Sequence, residues 1–289
     1  MISRISAGLL FVSIAFCVKY FGPRPNFVQG RDAQASAGAK QTAETRRVRV
    51  ATGEYRVYTQ SRGSGIGPFA PAVYNFIESW DLWRLPDGSL EATGERDYDS
   101  PEAESHADRF SVHLSSDFKI LEIKEFRKLR WLPDSGPLSC DFLPGKLACS
   151  SGAKDPANNV NLNLTLDPSY GFLWPISAFS ISNITRFSRE HGAGAISVQL
   201  VTMDEPSREN PVYTEILGGQ LRYLGKEEIT VARRRWKADK FELKVPLHAP
   251  FLIWTSERGL LLDFAEESNE GRLTENGMSL VRFQQLAGF

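Results

Sequence analysis

Histidine and cysteine are scarce here, with four of one and three of the other in 289 residues. His106, His113, His191 and His248 never stand at His-x-His or His-Glu-x-x-His spacing, so they suggest no metal centre and read as surface residues. A Gly-x-Ser-x-Gly elbow is missing. Ser64 does lie between glycines, but in a loop without the strand-to-helix turn that exposes a nucleophile. The same loop, Gly63-Ser64-Gly65-Ile66-Gly67, lacks the spacing of a dinucleotide fingerprint. Excess charge is missing too: a formal net charge of -1 leaves no electrostatic footprint for nucleic acid. Neither catalytic residues nor a cofactor are expected.

Long apolar runs are confined to the N-terminus. Arg4 precedes the stretch Ile5–Val18, which Lys19 closes. It is shorter than the roughly 20 residues a membrane span needs and suits a secretory signal. Residues 1–21 are therefore expected to be a signal peptide, or an N-terminal anchor if uncleaved, which would be the chain's one link to a membrane. Phe16 before Cys17 argues against a lipoprotein box, where a small residue is needed. Residues 22–45, rich in Ala, Gly, Gln and Pro, read as a flexible linker. Residues 46–289 read as a single domain, periplasmic or secreted, or held at the inner membrane by the anchor.

A helical period is hard to find. No stretch of about twelve residues repeats apolar positions every three to four, whereas alternation with period two is common. Tyr55 and Val57 oppose Arg56 and Tyr58; Phe110, Val112 and Leu114 oppose Arg109, Ser111 and His113; Val160, Leu162, Leu164 and Leu166 oppose Asn159, Asn161, Asn163 and Thr165. Pro86-Asp87-Gly88 marks a hairpin between Tyr74–Leu85 and Ser89–Arg96, and Ser115-Ser116-Asp117 marks another. Ile184–Arg189 and Ala195–Met203 are expected as strands. Leu221–Leu224, Glu228–Val231, Trp236–Val245, Phe251–Ser256, Leu260–Glu266 and Met278–Leu286 follow as a terminal meander. The fold class is mainly β, a large curved antiparallel sheet forming an open, unclosed barrel or a sandwich.

Four features invite a functional reading. Cys140 and Cys149 flank a Pro144-Gly145 turn, so a disulfide across that hairpin is expected, in keeping with an oxidising compartment; two unpaired small side chains are the alternative. The acids Asp97, Asp99, Glu102 and Glu104 could serve a carbohydrate- or ester-hydrolase, hold calcium, or simply be a solvated loop. Arg233-Arg234-Arg235, with Trp236 and Lys237, marks a bend with a basic tip, either an anion-binding patch or a guarded turn. The segment Phe172–Ile181 is apolar without alternation; it is core or a cover over an apolar cavity, and Pro175 could open a short helix in it.

The terminal order is Leu224-Gly225-Lys226-Glu227-Glu228-Ile229, Trp236–Leu243, Phe251-Leu252-Ile253-Trp254, Gly259–Phe264 and a last strand to Leu286. It resembles the closing strands of the envelope proteins grouped around the periplasmic lipoprotein carriers, and the related DUF3108-type domains. The resemblance implies an unclosed barrel whose irregular or helical insert covers an apolar cavity, and a lipid or acyl chain as ligand. It brings no catalytic residue. The lining residues expected on this basis are Phe172, Trp174, Phe179, Ile181, Trp236, Phe251, Trp254, Leu260, Leu262 and Phe264. A structural or scaffolding protein of the envelope, working through its surface with a protein partner, is the rival reading.

Overall fold

The structure is a computed structural model that describes residues 47–61, 73–98, 108–127, 138–151, 161–167, 170–172, 179, 181–192, 194–204, 213–246, 249–266 and 274–286. The expectations for the signal, the linker, the acids beyond Asp97, and the stretch 173–178 lie outside these residues. Within the unit Arg47–Phe289, the strands are β1 (Val48–Ser61), β2 (Val73–Arg84), β3 (Leu90–Tyr98), β4 (Asp108–Leu114), β5 (Ile120–Arg127), β6 (Leu138–Leu143), β7 (Lys146–Ser151), β8 (Asn161–Thr165) and β9 (Tyr170–Phe172). One helix, α1 (Ser182–His191), is followed by β10 (Ala195–Asp204), β11 (Tyr213–Val231), β12 (Arg234–Lys244), β13 (Phe251–Thr255), β14 (Leu261–Glu266) and β15 (Thr274–Gln285).

All fifteen strands form one sheet, ordered β8-β7-β6-β5-β4-β3-β2-β1-β15-β14-β13-β12-β11-β10-β9. Every pairing is antiparallel except the short parallel β9–β10 contact. The sheet is not closed, as expected for an open barrel. Yet its two ends approach through isolated bonds: the Tyr170 hydroxyl, on β9, reaches the Leu143 and Lys146 carbonyls of the β6–β7 hairpin at 3.3 Å each. The hairpin expected at Pro86-Asp87-Gly88 joins β2 to β3, with Gly88 at φ 86°, where a side chain would be strained.

The inner face carries the core, and glycine makes room for its largest rings. Trp80 lies directly across from both Gly53 and Gly94, and Gly94 from Phe110. A β-carbon on Gly53 would sit 2.2 Å from the indole, and one on Gly94 2.5 Å from the Phe110 ring. The rings thus fill slots that the glycines leave empty, the cross-strand pairing that pins a curved sheet. From Trp80 the packing continues to Tyr55 at 6.3 Å and Phe179 at 5.6 Å; Phe179 stacks on Phe118 at 5.7 Å. Each such side chain removed from water contributes about 1.5–3 kcal/mol.

Two sequence expectations are corrected. Ile184–Arg189 lies in helix α1, not in a strand. Its buried face is Ser182, Ile184, Thr185 and Ser188, mostly small and polar, so no apolar stripe announces the helix. The Ser182 hydroxyl bonds to the Phe118 carbonyl at 2.7 Å, and the Thr185 hydroxyl turns back to the Ile181 carbonyl at 3.0 Å. Second, Leu221–Leu224 and Glu228–Val231 are one strand with Gly218 and Gly219, all within β11. Gly225, at φ 109°, takes up a bulge in the pairing with β12 between Tyr223 and Gly225 and so bends the strand without ending it. The basic bend is a hairpin, as expected, but its turn is only Ala232 at φ 50° and Arg233 at φ 59°, and Arg234 to Lys237 already lie in β12. Such turns prefer Asn-Gly, and left-handed backbone costs other residues about 1–2 kcal/mol each.

Candidate functional site

The inner face has two parts of different character. The part under α1 is filled. Phe179 is fully buried between Trp80 and Phe118, and Ile181, Ile184, Leu260 and Leu261 are buried as well. The Tyr55 hydroxyl, also buried, donates to the Leu261 carbonyl two strands away, and burial raises its pKa well above the usual value, helped by the nearby Glu78 charge. The helix is held down at its far end. Arg189 donates to Asp239 at 2.8 Å and to the Glu257 carbonyl at 2.6 Å, while the Tyr223 hydroxyl meets the other Asp239 oxygen at 3.0 Å. Burial, then the bond to Asp239, raises the Tyr223 pKa.

Next to Trp80 along β2 comes a buried charge pair. Arg96 donates to Glu78 at 2.6 Å, with both side chains essentially inaccessible, and its guanidinium lies 4.3 Å above the Phe76 ring. A pair this deep loses its hydration and is weak evidence for stability. Its position matters more, because it separates the filled part from what lies beyond.

Beyond it, one row of apolar side chains crosses six strands in register. Phe241 faces Ile253, Ile253 faces Phe264, Phe264 faces Met278, Met278 faces Val57, and Val57 faces Phe76. Phe241, Ile253 and Phe76 are buried, whereas Phe264, Met278 and Val57 keep part of their surface accessible. Phe251 stacks on Phe264 at 5.1 Å and extends the row by one position. An apolar strip with a half-open middle offers a place where an apolar chain can lie.

Of the ten residues expected to line one cavity, the eight described ones fall into four places. Phe179, Ile181, Leu260 and Leu262 are buried, with Phe179 at the centre of the filled part. Phe251 and Phe264 belong to the row just described. Trp254 lies on the other face of β13, opposite to Phe251, Ile253 and Thr255; its indole donates to Glu227 at 2.9 Å under the Lys240 ammonium. Those bonds from Trp254 and Lys240 lower the Glu227 pKa. Trp236 packs against Phe283 on β15. The side chains of Phe172 and Trp174 lie outside the described residues. Sequence reasoning missed Val57, Phe76, Phe241, Ile253 and Met278 as one row. The alternation in each strand marks its inner residues, but only the register lines them up.

Cys140 and Cys149 stand opposite one another in the β6–β7 ladder and are joined by a disulfide, as expected. Such a bond persists in an oxidising compartment. Asp97 is exposed on β3. Among the described residues no group of three His, Cys, Asp or Glu side chains could hold a metal. Concavities open on the surface of the described residues. One of about 240 Å³ lies between α1 and the tip of the β6–β7 hairpin, and one of about 430 Å³ lies beside the β11–β12 turn.

No family model and no curated protein matches the chain. Among solved structures, the chain is similar to a "putative lipoprotein" from Parabacteroides distasonis, at 9% identity over 82% of this chain and 96% of that one, with a TM-score of 0.31. A DUF1329 family protein from Desulfovibrio piger aligns at 10% identity over 83% and 86%, with a TM-score of 0.20. At TM-scores this low neither likeness carries a functional argument.

Proposed function

We propose that this chain is an exported, non-catalytic protein of the cell envelope that holds a lipid or acyl chain against the inner face of its curved sheet. The supporting observation is the row Phe264–Met278–Val57, which is apolar, continuous in register and still partly accessible. An acyl chain laid there is stabilised by about 25 cal/mol per Å² of apolar surface removed from water. The disulfide supports the export half of the reading.

Titration with a fluorescent fatty acid tests it. Saturable binding is expected, lost in Met278→Glu, which puts a charge into the row, and retained in Trp254→Ala on the opposite face. No saturable binding, or equal binding by both variants, rejects the carrier. The scaffold reading is favoured by a different observation, the Trp80–Phe179–Phe118 packing that fills the part beneath α1. A bare mass in native mass spectrometry of protein purified from its own host would favour it; a co-purifying lipid would favour the carrier.

A further inference from the structure

The β11–β12 hairpin reaches beyond its neighbours β13 and β14 to rest on β15. Trp236 meets Phe283 edge-on at 5.2 Å. The Arg234 guanidinium sits 4.7 Å above Trp236 and 5.9 Å from Phe283, and donates to Gln285 at 3.2 Å. This clasp suspends the Ala232-Arg233 turn beside β15 and β1 and leaves the concavity of about 430 Å³ between them. Three guanidinium groups from three separate segments line it: Arg56 on β1, Arg282 on β15 and Arg233 on the turn. A single carboxylate, Glu54, is shared by two of them, at 2.7 Å from Arg282 and 3.5 Å from Arg56. Among the residues that line the concavity, three are arginines and Glu54 is the one acid. Val281 and Phe283 supply an apolar floor.

We propose that this concavity binds a phosphate group, free or as an ester whose first carbons rest on Val281 and Phe283. Guanidinium forks match phosphate oxygens in pairs, and several of them around one pocket favour a tetrahedral dianion over a planar carboxylate. Glu54 holds the Arg282 fork and steadies Arg56, so two of the three are placed before any ligand arrives. The turn carries the third. Its two-residue hairpin geometry holds Arg233 at φ 59° beside the concavity. Arginine in that position sets a third fork on the lip of the concavity.

The test uses the full chain and inorganic phosphate, followed through the arginine side-chain NMR resonances. Saturable shifts are expected, weakened at least tenfold in the double variant Arg233→Gln/Arg282→Gln. Arg233→Gln alone removes only an exposed side chain, so it keeps the test valid if loss of the Glu54 pair disturbs folding. Arg233→Lys keeps the charge and loses the fork; it is expected to bind several-fold more weakly, and affinity equal to the parent overturns the forked contact. Vesicles separate the sources. Sedimentation with phosphatidylglycerol but not phosphatidylcholine vesicles, lost in the double variant, makes the phosphate a lipid headgroup. Phosphate shifts without sedimentation make it a soluble ester or the free ion. No saturable shift, or one unchanged in the double variant, overturns the site.

Discussion

Trp80 occupies the space where a side chain on Gly53 would begin: a β-carbon there would lie 2.2 Å from the indole ring. The two residues face each other across β1 and β2, and the ring carries the packing on to Tyr55 and Phe179. Gly53→Ala therefore forces the ring, the strand or both to shift. A loss of about 1–3 kcal/mol is expected, the usual cost of overpacking a core, measured by denaturant unfolding. Gly218→Ala on β11 is the control, since nothing lies within 4 Å of its added carbon; it should be neutral or slightly stabilising.

Asp263 supplies a second prediction. Burial raises its pKa, although bonds accepted from the Ser279 side chain and the Phe264 backbone N–H oppose the shift, and its Oδ1 has no hydrogen-bond partner. A carboxyl whose folded pKa is raised costs nothing below its unfolded value and costs stability as pH rises through its folded value. Asp263→Asn should therefore be more stable than the parent at neutral pH. At about pH 3, below the ordinary carboxylate value, the two should unfold alike. A constant gap at both pH values would show that the charge is not the cause.

Tyrosine sets the alkaline limit. Burial pushes Tyr170 up to about 12 and also raises Tyr55 well above its ordinary value. Folded-state values above the unfolded one of about 10 mean that stability is intact below that pH and falls as pH climbs beyond it. Unfolding by circular dichroism should set in above about pH 10. Tyr170→Phe should soften that fall, and it also removes the bonds to Leu143 and Lys146 that draw the two ends of the sheet together.

The disulfide closes a loop between residues nine apart in sequence. Chain entropy assigns a short loop of this kind about 2–3 kcal/mol. Dithiothreitol, or the Cys140→Ser/Cys149→Ser variant, should lower the unfolding midpoint accordingly. An unchanged midpoint would mean that the β6–β7 ladder alone holds this hairpin.

The all-β class, the Pro86-Asp87-Gly88 hairpin and the cysteine pairing were legible because each rests on a local signal: alternation, turn chemistry, or the placing of two like residues around Pro-Gly. Helix α1 was not, because Ser182, Thr185 and Ser188 are buried where a periodic stripe would carry Leu or Ile. The continuity of β11 through Gly218, Gly219 and Gly225 was hidden because glycine serves a bulge as readily as a turn. The candidate site was half legible. Phe251 and Phe264 stand out as inner aromatics, while Trp254 belongs to the outer face by a phase that period two leaves undecided until the register is fixed.

The central position of β1 has a kinetic consequence. Its neighbours are β2, formed soon after it, and β15, formed last: Ala51 lies opposite Gln285. Until that final strand arrives, β1 offers one bare row of amides and carbonyls along fourteen residues. A chain emerging from its N-terminus must carry this sticky edge until β2 to β14 have followed, with strand pairing by other chains as the hazard. Completion of the sheet awaits β15, which pairs with both β1 and β14. A truncation that removes β15 leaves two meanders with no shared strand between them.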